Sequence, residues 1–223
     1  MKIYLKILSI LALLSSTCLA KTSMEKTTSA AKVKAVLEAA ETGDAEKFNT
    51  LLKDKTIDLN AQDETGMTPL MSAALGGNVD MVKKLLAKKV KLELKNQVGD
   101  TALAVALTND QLDSAKVLIN AGANVDLIVA GDNEDTLLMR AASNNADITA
   151  LILKKNKGLI NKTNKLGETA LMQSIRFGNN DSVKMLLKAG ADVKAKNKEG
   201  LSALDIAKKS SNEEAVKLLS AKK

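Results

Sequence analysis

The heptapeptide Thr68-Pro69-Leu70-Met71-Ser72-Ala73-Ala74 (TPLMSAA) is the clearest structural signal in the chain, because it recurs in altered form. Related openings begin at Thr101, Thr136, Thr169 and Ser202, at intervals of 33, 35, 33 and 33 residues, and a weaker copy begins near Lys34. The second half of each copy carries an apolar pair: Leu51-Leu52, Leu85-Leu86, Leu118-Ile119, Ile152-Leu153, Leu186-Leu187 and Leu218-Leu219. A fixed period of this length predicts a tandem array of one supersecondary unit.

The residue types along each copy predict two helices joined by a turn. Thr or Ser at the opening can cap a first helix, and Pro69 suits its first turn, where no N–H is needed. Gly122 and Gly190 suit the left-handed position that ends a second helix. Acids recur where the second helix begins and its dipole is positive: Glu46, Asp80, Asp113, Asp147, Asp181 and Glu214. One such hairpin cannot bury its own apolar flank, so the copies must stack.

The pattern resembles the ankyrin repeat, which has a 33-residue period and a T-P-L-H-x-A opening. The resemblance extends over 32–221, and glycines stand two residues before the openings, at Gly66, Gly99, Gly167 and Gly200. It implies an all-α ankyrin-repeat solenoid of about six helix–turn–helix repeats with projecting β-turns. The repeats are expected at about 32–64, 65–97, 98–132, 133–165, 166–198 and 199–221. Phe48 is expected in the core of the first repeat.

The sequence departs from the family pattern in three ways. The opening His is absent, and Met71, Met139 and Met172 stand in its place in three copies. We therefore expect methionine packing and weaker hydrogen bonding between repeats. Lys89 occupies a column where other copies have glycine, so its helix must end differently or with strain. Two extra residues between Leu127 and Asp135 predict a longer projecting turn in the fourth repeat.

Composition argues against catalysis and nucleic-acid binding. The 223 residues include no His, no Trp and one Cys, which excludes Ser-His-Asp, Cys-His and His-metal sites. No P-loop or dinucleotide glycine motif occurs. The 33 basic residues are interleaved with 26 acidic ones and are nearly all Lys, unlike the clustered Arg and aromatic residues of nucleic-acid binders. We therefore expect no enzyme activity, no cofactor, no metal and no nucleic-acid partner.

Residues 1–20 carry the pattern of an export signal. Lys2 and Lys6 precede the short apolar run 7–14, and Cys18-Leu19-Ala20 places small residues at a cleavage site. The alternatives are an uncleaved anchor and lipidation at Cys18, which follows a loose lipobox. A polar linker is expected over 21–31. Cleavage after Ala20 removes two basic residues, leaving a charge of 31 − 26 = +5, no disulfide and no membrane insertion.

The resemblance implies protein binding through the turn tips and the concave face of the first helices. The exposed concave positions are expected four, seven and eight residues after each opening. The predicted site comprises Leu75, Thr108, Arg140, Ser143, Gln173, Arg176 and Phe177, within a wider exposed set that includes Ser72, Gly76, Val105, Asn109 and Asn144. Arg140 and Arg176 are the only arginines, and Arg and aromatic side chains dominate interface hot spots. In the alternative interpretation, Phe177 packs beneath the next helix and the arginines only add solubility.

These expectations lead to a monomeric, exported, periplasmic protein that scaffolds or regulates a periplasmic or envelope protein. The alternative is a secreted or surface-lipoprotein effector that contacts host proteins. A further interpretation is a structural cap or stress protein that protects a periplasmic enzyme, and the sequence does not distinguish it from the first.

Overall fold

The computed structural model describes residues 30–221, which form twelve α-helices paired into six hairpins. The helices are α1 (30–42), α2 (Ala45–Leu51), α3 (Pro69–Leu75), α4 (Val79–Ala87), α5 (Ala102–Thr108), α6 (Leu112–Asn120), α7 (Leu137–Asn144), α8 (Ala146–Lys155), α9 (Ala170–Arg176), α10 (Asn180–Ala189), α11 (Ala203–Lys209) and α12 (Glu213–Ser220). Over 30–221 there is no β-strand, only the isolated bridges Ile128↔Thr136 and Lys196↔Ser202. The predicted all-α solenoid of helix–turn–helix repeats is confirmed.

The N-terminal predictions fall largely outside this range. The expected signal sequence 1–20, Cys18 and residues 21–29 of the expected linker lie outside the described residues. Ala30 and Ala31, which the sequence predicts to be part of the linker, are already helical in α1. Alanine has the highest helix propensity, so these two residues extend the first helix toward the N-terminus.

The first helices from α3 onward begin at the predicted Thr or Ser. The hydroxyl oxygen of Thr68 accepts a hydrogen bond from the backbone N–H of Met71 at 3.2 Å. The same bond forms at Thr101, Thr136, Thr169 and Ser202. Pro69 occupies the first turn of α3, where its missing N–H is not needed. Each first helix from α3 onward therefore starts at the same point of its repeat.

Left-handed residues end several helices. Gly190 ends α10 with φ 93°, and Lys89 lies beyond the end of α4 with φ 56°. Lys89 therefore adopts the left-handed conformation of the glycines in the equivalent position, which a Cβ makes costly. Asp110 and Ser211 have φ 56° and 55° between their first and second helices, where other repeats have glycine.

The apolar flanks of the hairpins bury one another along the stack. Ala73-Ala74 has no exposed surface, which allows neighbouring helices to approach closely. Met71, Met139 and Met172 are fully buried, so methionine fills the volume where the family has His. Phe48 is also fully buried, as predicted. One continuous cluster of buried residues extends through all six hairpins.

The fourth repeat has the predicted irregular shape. Its longer turn is closed by a hydrogen bond from Val129 N to Asp135 O at 2.8 Å, and Glu134 takes φ 53° inside it. Asn145 both ends α7 and caps α8, so a single residue joins the two helices of this hairpin.

Candidate protein-binding surface

The helices form two rows. The first helices α3, α5, α7, α9 and α11 pack in sequence, and the second helices α4, α6, α8, α10 and α12 do the same. Except at the step from α5 to α7, neighbouring first helices pack more extensively than neighbouring second helices. When one row of helices packs more closely than the other at most steps, each repeat is rotated slightly relative to the last. These rotations add along the stack and curve it toward the more closely packed row. The first helices and the projecting turns therefore line the concave side.

Hydrogen bonds join neighbouring turns into a continuous edge. The backbone bonds run from Gln97 N to Thr65 O (3.0 Å), Lys165 N to Asn133 O (2.8 Å) and Lys198 N to Leu166 O (2.9 Å). The side-chain amide of Gln62 adds a bond to Lys95 O at 2.8 Å. Backbone and amide groups of the turns thus supply hydrogen bonds between repeats in an array without the family His.

The large apolar side chains that remain exposed lie on the turns and at the ends of first helices. Val98 (66% exposed) and Leu166 (44%) occupy turn tips, Ile128 (54%) lies in the lengthened turn, and Phe177 (63%) follows the end of α9. Over the described range, none of the second helices carries a large apolar side chain exposed to this degree. Because all four lie on the turns or at the end of a first helix, that side of the stack is the candidate interaction surface. The alternative that placed Phe177 beneath the next helix is wrong.

The seven predicted site residues separate by their register in the helix. Thr108 and Arg176, seven residues after their openings, are exposed, and Phe177, at position eight, is also exposed. Leu75 and Ser143 are half-buried, and the Ser143 hydroxyl donates to Met139 O at 3.0 Å. The concave surface is therefore built mainly at the C-terminal ends of the first helices.

The expectation that position four is exposed is wrong. Ser72, Val105 and Gln173 are 2%, 5% and 6% exposed. Position four lies one helical turn beyond the cap, on the flank that packs against neighbouring first helices. Arg140 has this same register and is half-buried.

A buried ionic network explains the placement of Gln173 and Arg176. Glu168 is 2% exposed, and its carboxylate accepts a hydrogen bond from the Gln173 amide at 2.6 Å. The other carboxylate oxygen forms an ion pair with Arg176. The Gln173 amide therefore turns inward, and Arg176 neutralises a buried charge while its side chain stays 44% exposed.

Sequence reasoning missed Glu168, although a signal for it was present. An acid directly precedes the opening Thr in three consecutive repeats, as Asp100, Asp135 and Glu168. Asp100 accepts a bond from Ala130 N at 2.9 Å in the next turn. These acids belong to the contacts that hold the turns and first helices together.

The carboxyl groups with displaced pKa values serve caps, turns and surface ion pairs. The Ser202 hydroxyl lowers the pKa of Asp205, and the Lys184 ammonium lowers the pKa of Glu214. Burial raises the pKa of Asp63, but hydrogen bonds from Thr65 and nearby backbone N–H groups outweigh it, so the net shift is downward.

The described part of the chain offers no metal-binding cluster and no membrane-spanning helix. Over residues 30–221, no three or more acidic, Cys or His side chains are grouped so that they could hold a metal ion. None of the helices formed by these residues has both the length and the apolar composition needed to cross a membrane.

Fold and surface together define a tandem-repeat protein-binding module. A family model described as ankyrin repeats (3 copies) matches residues 36–129 and 138–223, so the chain belongs to the ankyrin repeat family. The ankyrin repeat fold is generally a non-enzymatic interaction module.

The array is similar to solved structures over nearly their whole length. In the structure of the predatory endopeptidase Bd0816 from Bdellovibrio bacteriovorus in complex with immunity protein Bd3460, the matching chain is 61% identical, with a TM-score of 0.81 over 85% of this chain and 98% of that chain. An ankyrin repeat domain from Acinetobacter baumannii AYE is 27% identical, with a TM-score of 0.72 over 83% of this chain and 96% of that one.

The curated relatives are much longer proteins. Rabankyrin-5 from Homo sapiens is 32% identical over 165 residues, which is 64% of this chain and 14% of that protein. The chain therefore spans a small part of the length of such relatives.

Proposed function

We propose that the chain is an immunity-type protein that binds an endopeptidase and holds it inactive. The observation that carries this proposal is the 61% identity across 98% of the matching chain, in a structure of an endopeptidase complexed with an immunity protein. Identity of this extent includes the surface as well as the buried core. It also favours the interpretation in which the protein protects or regulates an enzyme.

The concave surface has the chemistry of a protein interface. Phe177 is exposed beside the half-exposed guanidinium of Arg176, and the turn tips add Val98 and Leu166. An aromatic contact next to a cation, with apolar groups nearby, is typical of an interface hot spot. The exposed apolar groups follow the turns of several repeats, so they suit the broad surface of a folded partner.

The test is a binding and inhibition assay with purified Bd0816 as the probe. We expect the chain to form a stable complex in calorimetric titration and to suppress the endopeptidase activity. Phe177→Ala is expected to weaken binding by about 2 kcal/mol, or roughly thirtyfold in Kd, without unfolding the array. Lys154→Ala, at an exposed position of the second helix α8, is the matched control and should bind normally.

Arg176 needs a different design, because its removal leaves the buried Glu168 without its cation. Arg176→Ala combined with Glu168→Gln avoids an unpaired buried charge, so the pair of changes separates binding from folding. If wild-type protein neither binds nor inhibits Bd0816, the proposal is wrong. If Phe177→Ala binds as tightly as wild type, Phe177 does not contact the partner.

The proposal includes export to the periplasm, on the strength of the signal pattern in residues 1–20. Cell fractionation of the full chain, with and without globomycin, tests this and the lipidation alternative at Cys18. Periplasmic recovery of a soluble form is the expected result. Recovery in the medium would favour the secreted effector, and a globomycin-sensitive membrane form would favour a lipoprotein.

A further inference from the structure

Arg140 is an unusual occupant of its position in the repeat. Val105 and Gln173 have the same register in the neighbouring first helices and are buried. The Nε atom of Arg140 is buried without a hydrogen-bond partner, and its guanidinium forms no hydrogen bond or ion pair with residues 30–221. A buried donor without an acceptor is unfavourable for folding, so packing alone does not account for this side chain.

The two arginines of the chain are therefore not equivalent. Arg176 has an internal partner, the buried carboxylate of Glu168. Asp135 is the acid that precedes the opening of the repeat containing Arg140. Its carboxylate already accepts a hydrogen bond from the side-chain amide of Asn164 at 2.7 Å. Arg140 is thus a half-buried cation on the first helix α7, and residues 30–221 supply no acceptor for it.

We propose that Arg140 binds an Asp or Glu side chain on the surface of the partner endopeptidase, an inference that rests on the proposed function. The Nε atom is closed to solvent, so a partner can reach only the terminal Nη groups, whose N–H bonds match the two oxygens of a carboxylate. Phe177, which follows the end of α9, the next first helix, is exposed and would add an apolar contact to the same interface. Arg140 and Phe177 together form the anchor of the interface.

The first experiment compares binding with stability. With Bd0816 as the probe, Arg140→Gln is expected to raise Kd by about tenfold or more and to reduce the salt dependence of binding. Arg140→Met is expected to weaken binding in the same way, while the Tm of the free protein stays equal or rises because the orphaned donor is gone. Gln173→Met, at the matched register, should lower Tm because it removes a hydrogen bond to Glu168.

The second experiment identifies the acceptor chemically. Arg140→Lys places an amine at the same position, and a zero-length carbodiimide reagent couples amines to carboxylates in contact with them. Mass spectrometry of the complex is expected to show a cross-link from position 140 to an Asp or Glu side chain of Bd0816. A cross-link to the C-terminal carboxylate of the partner, or none from this position, would overturn the assignment.

The outcomes separate this inference from the proposed function. If wild-type protein does not bind Bd0816, both fail. If wild type binds and Arg140→Gln binds equally well, the proposed function stands and the role of Arg140 is wrong. If Arg140→Met loses binding together with a lower Tm, the side chain supports the fold instead of contacting the partner.

Discussion

Three glycines separate the steric and conformational requirements of the stack. Gly76, at the end of α3, has an ordinary φ of −74°, but a Cβ there would lie 2.0 Å from the backbone oxygen of Glu41 in the first repeat. Gly99 has φ 95°, and a Cβ would meet nothing within 4 Å. Gly66 has φ 80°, and a Cβ would lie 2.8 Å from Asn96 Cα. Alanine at these sites therefore tests steric overlap alone, conformation alone, and both.

The expected costs follow from these contacts. Gly99→Ala should lower the free energy of unfolding by about 1 kcal/mol, because a left-handed Cβ costs about 1–2 kcal/mol and a stiffer unfolded chain returns about 0.5 kcal/mol. Gly76→Ala gains helix propensity, but overlap with backbone costs about 1–3 kcal/mol, so we expect a net loss of about 2 kcal/mol. Gly66→Ala combines both penalties and should lose about 3 kcal/mol.

Urea unfolding followed by far-ultraviolet circular dichroism measures all three variants. The m-value should stay constant, so that a shift in midpoint reports stability. A Gly76→Ala protein as stable as wild type would show that the first two repeats do not approach as closely as described. Equal losses at Gly66 and Gly99 would refute the close contact between neighbouring turns.

Two further predictions concern strain and pH. Lys89→Gly should raise the free energy of unfolding by about 1 kcal/mol in urea titration, whereas Gly190→Ala should lower it by about the same amount, because both positions are left-handed; no gain at Lys89 would show that its conformation is not strained. The chain contains no His, so stability should be constant between about pH 5 and 8. The folded state lowers the pKa values of Asp205 and Glu214, so their stabilising contribution is present above their unfolded pKa values and lost as pH falls through the folded ones. Thermal melts should therefore show a falling Tm below about pH 4, and a marked slope near neutral pH would contradict this assignment.

The repeat period was enough to predict much of the architecture. Thr68 and its counterparts cap their helices as expected, because capping depends on residues only three apart in the chain. Phe48 is buried, and Lys89 is left-handed, because a repeat compares each position with its equivalents in other copies. These features are local or are determined by register.

The candidate surface was only partly predictable, because exposure depends on the neighbouring repeat. Helical spacing placed Gln173 on the concave side, but the flank at position four is covered by adjacent first helices. Arg176 and Phe177 are exposed as expected, yet Arg176 also neutralises Glu168, eight residues away in the chain. Helical periodicity gives the direction of a side chain and not the residue that it meets.

The amino-acid order is sufficient to specify the helical hairpins, the caps of the first helices from α3 onward and the stacking, since one unit recurs and its apolar flank can be buried only against another copy. Folding in three dimensions brings Glu168 to Gln173 and Arg176, and it leaves the Arg140 guanidinium without an acceptor in residues 30–221. The difference arises because burial and ion pairing are properties of two surfaces in contact, and the packing of adjacent repeats varies with each turn and each side chain between them.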